Sequence, residues 1–495
     1  MPSDATDKTE SAPTSSAPRG TAVFWLVLAL CLATRLPFLT AGYGNDPDAW
    51  ALVHAGKLID ANGEYAASRL PGYPLPEFAC SLLSRGGPLA VNLCTALLSI
   101  AAAAFFGLSL KRLGSPDHLL AVFALALTPV VFINSTNAMD YVWALAFILA
   151  AHHFALLGRP LVAGLLLGGA VACRVTSGVM LLPLGLLIAA DANGPNRLRR
   201  AASFGLATIL VAALAYWPIA ATYGLGFLSF RRTPTYPDAI IVSSRATLLV
   251  WGPVGLLGIA LGVLVSLARR LARRAVTSRH ACSEAGVPPA EMGKMPLIAA
   301  LISVVFYAAM YFRLPLESGY LIPAIPFVLL LLNRFLTRRA FQFVCAALCL
   351  APYVGYLSGA GSGPPWTYSD RTVTFAVAGR PFALDPLRGP VLHDYAERLH
   401  GMAFVDRILH AAQTLPVDSV IVVGYWLPQI QVRLESESPA GARFIYLLDA
   451  AALNRCRAGG TAVYYLPEMA AFNREADAVD LLRAGAIPLD LYWRR

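Results

Sequence analysis

Long apolar runs, each closed by a polar or basic cluster, recur along this chain and limit it to one kind of environment. They begin near Ala22, Leu89, Leu119, Tyr141, Leu161, Ser177, Ala202, Thr247, Pro296, Tyr320 and Phe341. A bilayer core of roughly 30 Å is crossed by about 20 mostly apolar residues in a helix. The 495 residues are 57% hydrophobic and only 14% charged, against roughly 25% charged in soluble domains. One soluble core cannot absorb that surface. The expected fold is an α-helical polytopic membrane protein with about eleven transmembrane helices. The runs at Leu161 and Ser177 share the stretch Leu161 to Ala190, interrupted by Cys173-Arg174-Val175-Thr176, and read as a broken or re-entrant pair, so ten or twelve spans also fit.

Charge orients the chain. With the N-terminus inside, the cytoplasmic loops hold fifteen basic residues, from Lys111 and Arg112 to Arg338 and Arg339, against four acids. The outer loops up to Gly359 hold nine basic and eight acidic residues. This is the positive-inside asymmetry, and an odd number of spans then puts the C-terminus outside. The net charge of +10 is therefore an orientation signal and gives no support to nucleic-acid binding.

Residues 1–20, rich in Ser, Thr, Pro and Ala, read as a disordered cytoplasmic tail, and residues 21–358 as the transmembrane domain. The run at Ala22 resumes through Leu36-Pro37-Phe38-Leu39 and reads as an uncleaved anchor. After a Gly/Ser/Pro linker from Gly359 to Pro365, residues 359–495 carry thirteen Arg and fourteen acids. Strand-like runs at Val420 to Tyr425, Phe444 to Leu448 and Ala462 to Leu466 alternate there with helical patterns at Leu392 to Leu415 and Ala470 to Ala484. That alternation predicts a soluble α/β domain. The segment has neither a P-loop nor a GxGxxG, and its His393 and His400 read as surface histidines. The eight cysteines are scattered, with no CxxC and no zinc spacing.

Ionisable residues at membrane depth cost roughly 2.5 to 3.5 kcal/mol each at a helix centre, so those near the outer face are informative. The large first outer loop, residues 40–88, contains Asn45-Asp46-Pro47-Asp48-Ala49-Trp50. Asp46 suits an N-cap, with Pro47 at the first helical position and Asp48 favoured by the helix dipole. Capping would lower its pKa and compete with a role as base. Asp140 stands directly before an apolar run, while Arg35, Arg174 and Arg313 either snorkel to headgroups or face a site. The pair Asp46-x-Asp48 also offers hard oxygen ligands for a divalent cation.

Three outward stretches appear in order. Arg35-Leu36 leads to Asn45-Asp46-Pro47-Asp48 and Ser68-Arg69-Leu70-Pro71-Gly72-Tyr73-Pro74-Leu75. Asn137-Ala138-Met139-Asp140-Tyr141 is followed by the run from Gly158 to Gly168 and by Cys173-Arg174-Val175-Thr176-Ser177. Pro315-Leu316-Glu317-Ser318-Gly319-Tyr320-Leu321-Ile322-Pro323 is the third. With these stretches the chain resembles the GT-C superfamily of polytopic membrane glycosyltransferases, of the polyprenyl-phosphate-sugar-dependent, mannosyltransferase- or arabinosyltransferase-like kind. The resemblance implies an inverting hexosyl- or pentosyltransferase of the bacterial inner membrane. It would move a sugar from a polyprenyl-phosphate donor to a lipid, glycan or protein acceptor on the outer face. It implies that Asp46 or Asp48 is the base, that Asp140 is the second catalytic acid, and that Arg35, Arg69, Arg174, Arg313 and Glu317 bind substrate. Members of that superfamily often have a basic residue where Ser318-Gly319 stands here, which leaves Arg313 as the substitute. The competing class is a transporter or lipid-linked sugar flippase, which predicts related halves and acids at helix centres; the sequence has no internal repeat.

Overall fold

A computed structural model describes residues 17–190, 196–228, 236–277, 293–358, 372–377, 379–434, 442–446, 450–467, 485–489 and 491. Most of the tail at 1–20, the linker at 359–365 and the helical pattern at 470–484 lie outside the described residues.

Proline and glycine set the helix boundaries. Helix α1 (Ala17–Ala33) runs to the turn containing Leu36-Pro37-Phe38. Helix α2 (Pro47–Asn62) starts behind the Asp46 cap and stops at Gly63, whose φ of 69° suits a left-handed C-cap. Helices α3 (Pro74–Leu83) and α4 (Gly87–Arg112) follow. Thr128-Pro129 splits the next apolar run into α5 (His118–Leu127) and α6 (Pro129–Asn134), because proline removes a helical N–H. Helix α7 (Asp140–Leu156) precedes the broken pair α8 (Pro160–Cys173) and α9 (Leu181–Ala189). Then come α10 (Arg197–Tyr223), α11 (Ala239–Ala246), α12 (Leu248–Thr277), α13 (Lys294–Arg313), α14 (Ile325–Phe335) and α15 (Arg338–Leu350).

Every apolar run identified in the sequence falls on a helix or on consecutive helices. Six segments among the described residues are long and apolar enough to cross a membrane, and the chain is a multi-pass membrane protein. The runs at Leu119, Tyr141, Leu161, Ser177 and Phe341 form shorter helices. Breaks within the runs shorten several of them. At Arg174 the backbone turns extended (φ −160°, ψ 113°) and a 3-10 stretch, Val175–Met180, intervenes before α9.

Small residues let α8 approach α10. A Cβ on Gly164 would lie 2.4 Å from the Phe204 carbonyl oxygen, and one on Gly168 would lie 2.5 Å from Val211 Cβ. This spacing of four is the small-xxx-small pattern that brings membrane helices together.

Beyond the membrane helices, β1 (Tyr356–Ser358), β2 (Val373–Val377) and β3 (Arg380–Asp385) form an antiparallel sheet in the order β1-β3-β2. Helix α16 (Pro390–Thr414) leads to β4 (Val420–Val422), α17 (Leu427–Leu434), β5 (Arg443–Ile445), α18 (Ala450–Ala458), β6 (Val463–Tyr465) and β7 (Ile487–Pro488). The last four strands pair in parallel in the order β5-β4-β6-β7. Ile421, Val422, Phe404 and Ile408 are buried between that sheet and α16.

Helix α16 also packs over the connection between α6 and α7. Arg398 is buried and donates to the Thr136 carbonyl (2.7 Å) and hydroxyl (3.1 Å), while pairing with Asp394 at 2.6 Å. His393, expected at the surface, is instead 2% exposed, because its ring stacks on Tyr356 at 3.8 Å. His400 is exposed.

The close approach of α8 and α10 sets a test. Gly164→Val forces an overpacked contact worth about 1–3 kcal/mol and should lower the thermal unfolding midpoint in detergent. Gly205→Ala, where the added methyl meets nothing within 4 Å, should not lower it. Equal midpoints for the two variants would contradict the packing account.

Candidate active site

The charged side chains singled out in the sequence sit where helices start, stop or break. Asp48 lies in the first turn of α2 and Asp140 opens α7. Arg174 occupies the break after α8, and Glu317 precedes the 3-10 stretch Ser318–Ala324. Arg69 comes from the connection between α2 and α3, which a buried acid holds in shape. Glu77 accepts from Ser68 N–H (2.7 Å), Ser68 Oγ (2.6 Å), Tyr73 N–H (3.0 Å) and the Tyr65 hydroxyl. Sequence reasoning passed over Glu77, although an acid just inside an apolar run was a signal.

Around Asp140 the charges form one array. This carboxylate is 1% exposed and bridges two guanidiniums: Arg174 Nη1 at 2.5 Å and Arg69 Nη2 at 3.2 Å. Arg69 Nε also reaches Asp48 at 3.0 Å. Aromatic faces complete the setting. The Arg69 guanidinium lies 4.1 Å from the Tyr73 ring centroid, and that of Arg174 lies 4.2 Å from Tyr141 and 5.0 Å from Tyr320. Such faces attract guanidinium charge. Each arginine has five N–H groups in a planar fork, so donors remain for an anion after these pairings.

Beside the arginines stands a carboxylate cluster. One oxygen from each of Asp46, Asp48 and Glu317 lies within 4.8 Å of the others. Asp46 caps α2, accepting the Asp48 N–H at 2.8 Å. The capping N–H lowers its pKa, but burial outweighs that and raises it well above the ordinary aspartate value, with the charges of Glu317 and Asp48 adding to the effect. Glu317, which accepts from the Tyr141 hydroxyl, is likewise raised by burial and by Asp48. The donor set is three hard carboxylate oxygens, which fits a divalent cation, with Glu317 added to the expected Asp46 and Asp48.

Of the residues singled out in the sequence, Asp46, Asp48, Arg69, Asp140, Arg174 and Glu317 meet in one place. Arg35 does not. It is fully buried, donating to the carbonyls of Cys31 (2.7 Å) and Ala126 (2.5 Å) under the Phe132 ring. Arg313 is exposed in the last turn of α13. Gly319 has a steric reason, since a Cβ there would lie 2.7 Å from the Tyr141 ring. A basic side chain has no room at Gly319, and the Arg174 guanidinium lies over the neighbouring Tyr320 ring.

No protein-family model and no curated protein sequence matches the chain. Its fold is similar to the crystal structure of ArnT from Cupriavidus metallidurans bound to undecaprenyl phosphate, with a TM-score of 0.50 and 12% identity over 96% of this chain and 90% of that one. The same protein in the apo state gives a TM-score of 0.48 and 11% identity with the same coverage.

Two outcomes are expected. Glu77→Ala strands four donors and should cost about 3 kcal/mol or more, read as a lower unfolding midpoint, with Glu77→Gln recovering part of the loss; an unchanged midpoint in Glu77→Ala contradicts the role. Raised acids stabilise the fold at pH below their unfolded values, roughly 4, and that contribution is lost as pH rises through their folded values. Glu317→Gln removes one of the repelling charges, so with chelator present its unfolding midpoint should fall less than that of wild type as pH rises. Parallel pH profiles would refute the repulsion.

Proposed function

We propose that this chain is an integral-membrane glycosyltransferase that moves a sugar from a polyprenyl-phosphate carrier to an acceptor hydroxyl at the outer face of the membrane. The observation that carries the reading is the bridging of Arg69 and Arg174 by buried Asp140 beside Asp46, whose one hydrogen bond among the described residues comes from a backbone N–H. Two fixed cations next to a carboxylate that has no ion pair among the described residues suit a reaction that releases a phosphate and takes up a proton. The likeness in fold to a protein bound to undecaprenyl phosphate supports a lipid-linked donor.

In this mechanism the acceptor oxygen attacks the anomeric carbon. The new C–O bond forms as the bond to the carrier phosphate breaks, with inversion, and the phosphate leaves with the electron pair. Asp46 takes the hydroxyl proton; its raised pKa makes it a stronger base than an ordinary aspartate. Arg69 and Arg174 stabilise the charge that grows on the departing phosphate. A phosphate leaves as an anion without prior protonation, so one base is enough. Asp48 and Asp140 hold the arginines in place. A divalent cation at Asp46, Asp48 and Glu317 would supply positive charge near the acceptor oxygen.

The same reading keeps about eleven spans with the N-terminus inside, residues 359–495 as an α/β domain on the outer side, and the bacterial inner membrane as the location. A lipid, a glycan or a protein can present the acceptor hydroxyl.

The test uses purified protein, a lipid-linked sugar donor and release of the carrier phosphate as readout. Asp46→Asn should cut turnover about 10²–10⁴-fold, the usual range for loss of a general base, and Arg174→Ala should weaken carrier binding as well. Unchanged turnover in both Asp46→Asn and Asp48→Asn would sink the base assignment.

A further inference from the structure

Helix α16 meets the membrane part of the chain through residues four apart. Asp394, Arg398 and Met402 recur at about one helical turn, which puts them on one face. Met402 packs on Gly42, where an added Cβ would lie 2.9 Å from its Sδ. Tyr395, beside Asp394, sets its ring edge-on to Phe38 at 5.3 Å. Among these apolar contacts sits a polar joint. Asp394 accepts the Asn45 side-chain amide on Oδ1 (2.8 Å) and on its backbone carbonyl (3.1 Å), and Glu397 Oε2 accepts from the same amide at 3.3 Å. The second Asp394 oxygen, Oδ2, pairs with Arg398 at 2.6 Å. Arg398 in turn donates from Nη1 to the Thr136 carbonyl (2.7 Å), and from Nη2 to the Thr136 hydroxyl (3.1 Å) and the Ile133 carbonyl (3.3 Å).

One carboxylate thus grips two segments that the candidate site needs in register. Asn45 immediately precedes Asp46, and Thr136 stands in the segment that leads to Asp140. The two segments also touch each other: the Ala138 N–H donates to the Tyr43 carbonyl at 2.7 Å, and a Cβ on Gly44 would lie 3.1 Å from Asn137 Cβ. Asp46 caps α2 through the Asp48 N–H, a bond within its own helix start. The residues leading into it are tied to other elements, Tyr43 to the approach to α7 and Asn45 to α16. Arg398 is buried, and Asp394 is its counter-charge. Breaking such a buried pair is costly, so the joint is a firm one.

We propose that Asp394 is a positioning residue for glycosyl transfer: from α16 it sets where Asp46 stands relative to the arginines that Asp140 holds, by gripping Asn45 directly and the segment before Asp140 through Arg398. The inference rests on the glycosyltransferase reading and gives the soluble part of the chain a task in that reaction. Asp394 acts only through Asn45 and Arg398; it is not among the groups assigned to the reacting atoms. Register matters because a misplacement of about 1 Å can cost 10²-fold in rate. The two arms have different consequences. Asn45 governs the base alone, whereas Asp394 governs the base and the Asp140 segment together, so a change at Asn45 should spare donor binding and a change at Asp394 should not. Plain adhesion between the two parts of the chain predicts no such difference.

Two measurements on the detergent-solubilised full chain test the proposal. In amide hydrogen exchange, Asp394→Ala should speed exchange about tenfold, the change expected for losing one good buried hydrogen bond, in both residues 43–49 and residues 136–140. Asn45→Ala should do so in residues 43–49 alone. In turnover, the donors are mannose, glucose and arabinose linked to undecaprenyl phosphate, with water as acceptor and release of undecaprenyl phosphate as readout. Asn45→Ala should lower kcat about tenfold or more at unchanged donor KM, and Asp394→Ala should lower kcat and raise KM. Ile408→Val, which thins the core under α16 away from the joint, should lower the unfolding midpoint and leave kcat and KM at wild-type values. Asn45→Ala keeps the Asp394–Arg398 pair whole, so it carries the test should Asp394→Ala fail to fold. Exchange unchanged in residues 43–49 of Asn45→Ala, or kcat unchanged in that variant beside an active wild type, would overturn the positioning role and leave the transferase reading standing. Release from none of the three donors by the wild type counts against the transferase reading itself, and the exchange pattern then still decides whether Asp394 joins the two segments.

Discussion

A single buried carboxylate organises the charged cluster of this protein. Asp140 holds Arg174 at 2.5 Å and Arg69 at 3.2 Å in surroundings almost free of solvent. Without it, two guanidiniums would face each other at the edge of a bilayer, and removing one partner of such a buried array typically costs about 3–5 kcal/mol. Neither arginine is consumed by the pairing, because each keeps N–H groups for a ligand. The array is therefore both a stabilising ion network and a preformed anion site, and the α7 start, the α8 break and the loop before α3 all converge to build it.

The helices are interrupted so that this can happen. Continuous spans would carry Arg174 and Glu317 into lipid, where they are costly. The break after α8 and the 3-10 stretch after Glu317 instead put both side chains at helix ends. Glu77 works on the same principle at the loop before α3, accepting the hydrogen bonds that shape the segment carrying Arg69. Helix α16 closes over Asn45 through Asp394 and over the connection between α6 and α7 through Arg398.

Much of this could be read in the sequence because it follows from local rules. Each apolar run read from hydropathy falls on helix, although α3 and α11 were not among those runs, and Asp46-Pro47-Asp48 announced the start of α2 by capping chemistry. Asp48, Asp140, Arg174 and Glu317 stood out as charges near membrane depth, and Arg69 through the resemblance. What stayed hidden depends on contacts between distant segments. The pairing of Asp140 with both arginines spans 71 and 34 residues of chain. Arg35 has the same local signature as Arg174, and only the packing of α1 against α5 commits it to carbonyls away from the site. His393 looked like a surface residue because its partner Tyr356 lies on a short strand outside the helix pattern. Capping alone also pointed the wrong way for Asp46, since burial and two neighbouring acids outweigh one backbone N–H.

The central claim is that Arg69 and Arg174, held by Asp140, receive the phosphate of a lipid carrier. A cryo-electron-microscopy structure of the full chain with undecaprenyl phosphate tests it most directly. The account predicts the phosphate between the two guanidiniums with Asp140 still bridging them. Phosphate density at Arg313, or at any place that leaves Arg69 and Arg174 without contact to it, would contradict the account.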